Sequence, residues 1–202
     1  MVAIPTSIAA RKKSKVIPKA LIYETIDGVH YYYKGYKNVI KNNLKAESVM
    51  GYGLFQWMLV NIITNYLNQN ISKSFLALGG EGGFHLGLNN NLSLDVVVLE
   101  RKDLDFSKIQ NKYLDFSPKV VIEIDTKAEI ANDMEDVYYY RKTQKMLDFG
   151  VSQVVWIFTN TKKIMVAEAD KAWLTVNWSD EIEILSAKIK LSELLKNEGF
   201  DF

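Results

Sequence analysis

The chain of 202 residues contains no cysteine and only two histidines. Without thiols there is no disulfide, no thiolate zinc site and no cysteine nucleophile, a usage that a reducing cytoplasm permits without requiring it. His30 and His85 have no partner at metal-ligand spacing, so both read as strand or loop residues rather than ligands. An excess of one charge is lacking as well. With 25 Lys+Arg against 24 Asp+Glu, any nucleic-acid contact has to rest on local patches rather than on the overall field. Long apolar runs are missing too: the most apolar stretch, residues 53–63, is interrupted by Gln56 and Asn61. It falls short of the roughly 20 residues a membrane span needs and reads as a core helix. At the N-terminus, mildly apolar residues precede Arg11, Lys12, Lys13 and Lys15, the wrong order for a secretory signal. The expectation is a cytoplasmic protein.

What is present is a hydrophobic share of 48%, enough for one domain with a substantial core. Residues 1–20 read as a basic, partly mobile arm, either a solvated tail or a contact for an anionic partner, and residues 21–202 as a single domain. Residues 21–26 and 29–33 flank Asp27-Gly28 and predict a hairpin. Residues 46–68 carry Met50, Leu54, Trp57, Met58, Ile62, Tyr66 and Leu67 at helical spacing, with Gly51 and Gly53 implying close packing or a late start. Strands are expected at 74–78, 84–88 and 94–100, with the glycine cluster Gly79-Gly80-Glu81-Gly82-Gly83 as a turn. That cluster lacks the Gly-Lys-Ser/Thr ending of a phosphate loop. A charged segment, 101–117, leads to a strand at 120. A helix over 130–149, with Met134, Val137, Tyr138, Met146 and Leu147 inward, separates it from a strand over 151–158, and that crossover predicts parallel pairing. Further strands at 163–167 and 173–178 and a short helix at 191–197 complete an α/β (α+β) domain around a mixed sheet.

The chain is organised around Val120-Val121-Ile122-Glu123-Ile124-Asp125-Thr126-Lys127. Its first half is a buried strand by composition, yet charged side chains then recur at every second position. Strand periodicity puts Glu123, Asp125 and Lys127 on one face. Burying two carboxylates there calls for compensation, most simply by a divalent cation. The other reading is a strand emerging into solvent with a charged outer face.

Several of these residues carry a family resemblance. Tyr23 to Gly28, Leu94-Asp95-Val96-Val97-Val98, Val120 to Ile124, Lys142 with Gly150-Val151, and Val155-Trp156-Ile157-Phe158 stand in the order of landmarks of the Uma-two family of endonucleases. That family lies within the PD-(D/E)XK nuclease-like superfamily. The resemblance implies a restriction-endonuclease-like mixed sheet and a metal-dependent endonuclease acting on phosphodiester bonds in DNA. Asp95 would be the motif's Asp, with Leu94 where the signature has Pro, and Glu123 its second acid, both holding Mg²⁺ or Mn²⁺. A lysine is then needed to stabilise the developing oxyanion. Where the motif has that lysine this chain has Asp125. Either Asp125 joins the ligands and Lys127 serves one strand step later, the preferred reading because the strand fixes its face, or Lys142 reaches back from the following helix. Glu47 resembles the accessory acid of the superfamily, or complements a helix dipole. The tyrosine runs 31–33 and 138–140 read as core and subunit contacts or as base-stacking surfaces. A homodimer is expected by analogy with nucleases of this fold. The contrasting expectation is a catalytically degenerate module for nucleic-acid binding or assembly, which Asp125 in the lysine position favours.

Overall fold

The structure is a computed structural model that describes residues 17–105, 112–131 and 134–200. Most of the basic arm and part of the charged segment 101–117 lie outside the described residues. Strands β1 (Ile22–Ile26) and β2 (Val29–Tyr32) form the expected hairpin, with Asp27 and Gly28 at φ of 50° and 76°, the left-handed pair a primed turn requires. Helix α1 (Tyr36–Asn42) follows. Helix α2 (Leu54–Asn70) starts eight residues later than the apolar spacing alone suggests, because Gly51 sits at φ 99° and Gly53 is extended at the N-cap. Residues Ala46–Ser48 make a separate 3-10 turn.

The glycine cluster is not a turn. Strand β3 (Phe75–His85) continues through it, paired with β4 (Asn91–Glu100) on both sides of a bulge at Gly80 and Glu81, since ladder hydrogen bonds come from backbone and do not need side chains. Strand β5 (Val120–Ile124), helix α3 (Glu135–Asp148) and strand β6 (Gln153–Phe158) form the crossover, and β5 and β6 are parallel as expected. Strands β7 (Lys163–Glu168) and β8 (Leu174–Asn177) extend the sheet, and the small β9 (Ile182–Ile184) and β10 (Ala187–Ile189) hairpin leads into α4 (Leu191–Asn197). The three-residue strands of that hairpin are too short to leave an alternation signal.

Along the sheet the order is β2-β1-β4-β5-β6-β7-β8, with β3 paired to β4, and every pairing except β5 with β6 is antiparallel. One face packs under α2 through Leu59, Val60, Ile63 and Leu67 against Val96, Val120, Ile122 and Ile124. The other carries α3, with Tyr138, Met146 and Leu147 against Val121, Val154 and Trp156. The core therefore has two halves, and the alternation of β5 assigns Glu123 to the α3 side. No helix of the described residues is long and apolar enough to cross a membrane.

One detail of the pairing positions everything that follows. Strand β5 pairs with β4 only at residues 96–98, while β1 meets β4 only at Asn91. Residues 92–95 of β4 thus border a fork where one neighbour has left and the next has barely begun. Asp95 lies in that fork.

Close packing across β3 gives a direct test. A Cβ at Gly79 would stand 2.5 Å from Thr64 Oγ1 and 2.7 Å from Val60 Cγ1, whereas at Gly82 the nearest atom is 3.9 Å away. Gly79→Ala is expected to destabilise the fold by about 1–3 kcal/mol and Gly82→Ala by less than about 0.5 kcal/mol, as read by urea denaturation.

Candidate metal centre

Three carboxylates and one ammonium are sealed in the interior: Glu24 is 2% exposed, Asp95 2%, Glu123 1% and Lys142 0%. They come from β1, β4, β5 and α3. Lys142 is inward because Tyr138, Lys142 and Met146 are four residues apart on α3, a stripe that faces the sheet along its whole length. Its Nζ lies 3.0 Å from Glu24 Oε2 and 3.2 Å from Glu123 Oε2. It also donates to the Ser93 carbonyl at 3.1 Å, in the gap that the fork opens on β4.

Asp95 lies across from Glu123, since Val96 pairs with Ile122 in the antiparallel ladder. Its Oδ2 accepts from the Ile124 N–H at 2.8 Å and from Gln56 Nε2 at 3.0 Å, so the carboxylate itself replaces the ladder partner that β5 loses at the fork. Gln56 on α2 also donates to the Ile124 carbonyl at 2.9 Å and closes that edge. Behind Glu24 runs a directional chain. Ala128 N–H donates to Thr126 Oγ1, that hydroxyl to Tyr138 Oη, and Tyr138 to Glu24 Oε1. Every donor has somewhere to go.

Burial works against the charges of this cluster. Burial pushes the Glu123 carboxyl well above the ordinary carboxylate range; Lys142 opposes this, while Asp95 and Glu24 add to it. Burial likewise raises Asp95, against the pull of the Ile124 N–H and of Lys142. For Lys142, burial works against the charge, but Glu123 and Glu24 together outweigh it and keep the ammonium protonated above its usual range. One ammonium is thus shared between Glu24 and Glu123, with Asp95 beside them. Glu123 Oε1 is buried with no hydrogen-bond partner among the described residues.

The other residues expected at the site are distributed differently. Asp125 does not extend the row on the face of Glu123. It takes φ 53°, which ends the strand alternation, and its two oxygens accept from the N–H and hydroxyl of Thr159 at the end of β6. Lys127 is ion-paired with Glu81, with its ammonium 3.7 Å from the centre of the Tyr52 ring. Of the two candidate lysines, it is Lys142 that touches Glu123. Glu47 is exposed on the 3-10 turn before α2 and is not brought to the buried cluster. His30 bonds Thr25 Oγ1 at 2.9 Å and His85 bonds Asn91 Oδ1 at 2.7 Å, both within the sheet. Of the tyrosines, Tyr138 packs edge-on to Tyr31 and Tyr139 against Trp156 and Phe158, as core contacts, while Tyr140 is exposed beside Trp173.

Glu24 escaped sequence reasoning as a site residue, although a signal existed. It shares strand parity with Ile26, which is fully buried, so a carboxylate stood in an inward position of an apolar hairpin. Gln56 carried the same signal as a polar interruption of the apolar segment that became α2.

Among the described residues, no three His, Cys, Asp or Glu side chains are gathered closely enough to cage a metal by themselves. Two neighbouring carboxylates, one with an orphaned buried oxygen, still suit Mg²⁺, which usually takes one or two protein carboxylates and fills its remaining positions with water and phosphate oxygens.

The shared ammonium also governs stability. Lys142→Met leaves buried acids without their cation and is expected to cost about 3–5 kcal/mol at pH 8. The sign with pH follows from the raised carboxyls: a folded-state pKa above the unfolded value stabilises at low pH and is lost as pH rises through it. The Lys142→Met deficit should therefore shrink toward pH 5, measured by denaturant melts across that range.

Comparison with protein-family models finds no match, and comparison with curated proteins finds none either. Among solved structures, the fold is similar to the crystal structure of a putative nuclease belonging to DUF820, the Uma-two family, from Anabaena variabilis ATCC 29413. The TM-score is 0.60 over 86% of this chain and 89% of that one, at 14% sequence identity. At that identity the likeness establishes the architecture, a restriction-endonuclease-like mixed sheet flanked by helices.

Proposed function

We propose that this chain is a metal-dependent endonuclease that hydrolyses phosphodiester bonds in DNA, with Asp95 and Glu123 as the residues that hold Mg²⁺ or Mn²⁺. The observation that carries this reading is the buried, unpartnered Oε1 of Glu123 in a cluster of three buried acids and one ammonium, which pairs with two of them. An added cation is the simplest remedy for both defects. The fold shared with a putative nuclease supports it.

A divalent ion bound there would supply charge neutralisation at the phosphate and a more acidic water. The chain's own residues account for the rest. Gln56 and the Ile124 N–H hold Asp95 Oδ2, so this acid is oriented before any ligand arrives. Glu24 and Tyr138 anchor Lys142 from behind, which leaves its charge facing Glu123. An ammonium so placed stabilises negative charge that develops on a phosphate beside Glu123, the role the motif assigns to its lysine. Here that lysine comes from α3 rather than from β5, so Asp125 at the usual position does not by itself remove the function.

The test is plasmid nicking with Mg²⁺ or Mn²⁺, with Asp95→Asn and Glu123→Gln as isosteric variants. Wild type is expected to nick, EDTA to abolish the activity, and each variant to lose on the order of a hundredfold or more. Equal background from wild type and both variants would instead leave a nuclease-fold module that binds without cleaving.

A further inference from the structure

The glycine cluster and Lys127 are not used by the site as described so far, and they meet beside it. In the β3–β4 ladder Gly79 pairs with Val96 and Gly82 with Leu94, so Gly80 and Glu81 together stand against Asp95 alone. This is a bulge, the device by which sheets re-aim a side chain next to a site. Gly80, at φ 138°, takes a backbone conformation that other residues rarely adopt, and a Cβ on it or on Gly82 would meet nothing closer than 3.9 Å. Glu81 therefore stands between two glycines whose Cβ positions are open.

Its partner is fixed. Lys127 receives the Lys34 N–H on its own carbonyl, and the next residue, Ala128, bridges to Tyr33. The Lys127 ammonium lies over the Tyr52 ring, and the Tyr52 phenol is held protonated by burial and by the nearby charges of Asp95 and Glu81. The ion pair thus borders the acids of the metal centre, and it is at the rim: the Glu81 side chain is 29% exposed and that of Lys127 11%. Lys142 is sealed and tied to two carboxylates. Of the two lysines near the acids, Lys127 is the less buried.

We propose that Lys127 receives a backbone phosphate of bound DNA, and that Glu81 is the internal anion that occupies it until the phosphate arrives. The inference rests on the nuclease reading and adds a regulated phosphate contact to it. The exchange replaces one singly charged oxygen anion by another on the same ammonium, so no uncompensated charge is created. It also moves a carboxylate away from an incoming polyanion. The bulge and its glycines allow that movement without disturbing β4, whose pairing with β3 on both sides of the bulge stays intact.

A fluorescent DNA duplex, titrated with Ca²⁺ in place of Mg²⁺ and followed by anisotropy over a series of KCl concentrations, tests this. Glu81→Gln and Glu81→Ala, which remove the charge with and without the bulk, are each expected to bind about fivefold tighter than wild type, the scale of one weak ion pair released. Each should steepen the salt dependence by about one phosphate contact, and Lys127→Gln in either background should erase both effects. Unchanged affinity and slope in the Glu81 variants, or a gain that survives Lys127→Gln, overturns the inference. Mn²⁺ titration calorimetry on the same proteins separates the two readings. Metal uptake with a flat DNA response refutes only the exchange, and a Glu81-dependent gain without metal uptake refutes only the metal centre.

Discussion

A single ammonium shared among buried acids is the constraint on which the rest of the structure depends. Lys142 joins β1, β4 and β5 to α3 through contacts with Glu24, the Ser93 carbonyl and Glu123. Removing an ionised group from water costs several kcal/mol unless it is paired and hydrogen-bonded, so these elements are held in one arrangement by a group that tolerates no alternative. The same tie gathers three buried acids around one ammonium.

The fork in the sheet makes this arrangement possible. A continuous ladder between β4 and β5 would pair the Ile124 N–H with backbone and leave no room for a carboxylate. Where β5 parts from β4, Asp95 takes over that hydrogen bond, the Ser93 carbonyl takes Lys142, and α2 contributes Gln56 from the opposite face. The backbone groups released by the divergence are thus the ones that orient the acids. On the other edge of β4 the bulge in β3 does the converse, putting an extra residue where Asp95 stands. Both irregularities fall at the same residue of one strand, as expected if the sheet is adapted there to hold something other than itself.

Much of this was legible in the residues, and the failures have physical causes. Asp27-Gly28 and the crossover from β5 to β6 followed from local turn chemistry and periodicity, while Asp95 and Glu123 were singled out as a pair by the resemblance to the Uma-two family. The glycine cluster misled because residues without side chains carry no alternation, and a backbone ladder can continue through them. Alternation was also extended too far along β5. It assigns Asp125 and Lys127 to the face of Glu123 only while the backbone stays extended, and Asp125 at φ 53° ends that condition. On α3 and at its N-cap, Val137 and Met134 are exposed while Lys142 and Thr143 are buried, because sites on the inner face are set by rotation about the helix axis and not by hydrophobicity alone.

The sequence by itself determined most of the strands and helices, the parallel crossover, and that Glu123 points away from the face of Ile122 and Ile124, because these depend on spacing along the chain. Only the tertiary structure decided which lysine meets that acid, that Glu24 joins it, and that Glu81 holds Lys127. Those partners lie on separate elements, and their meeting depends on strand register, on where β5 leaves β4 and on how α3 is turned against the sheet. None of these is encoded in the spacing of any one segment.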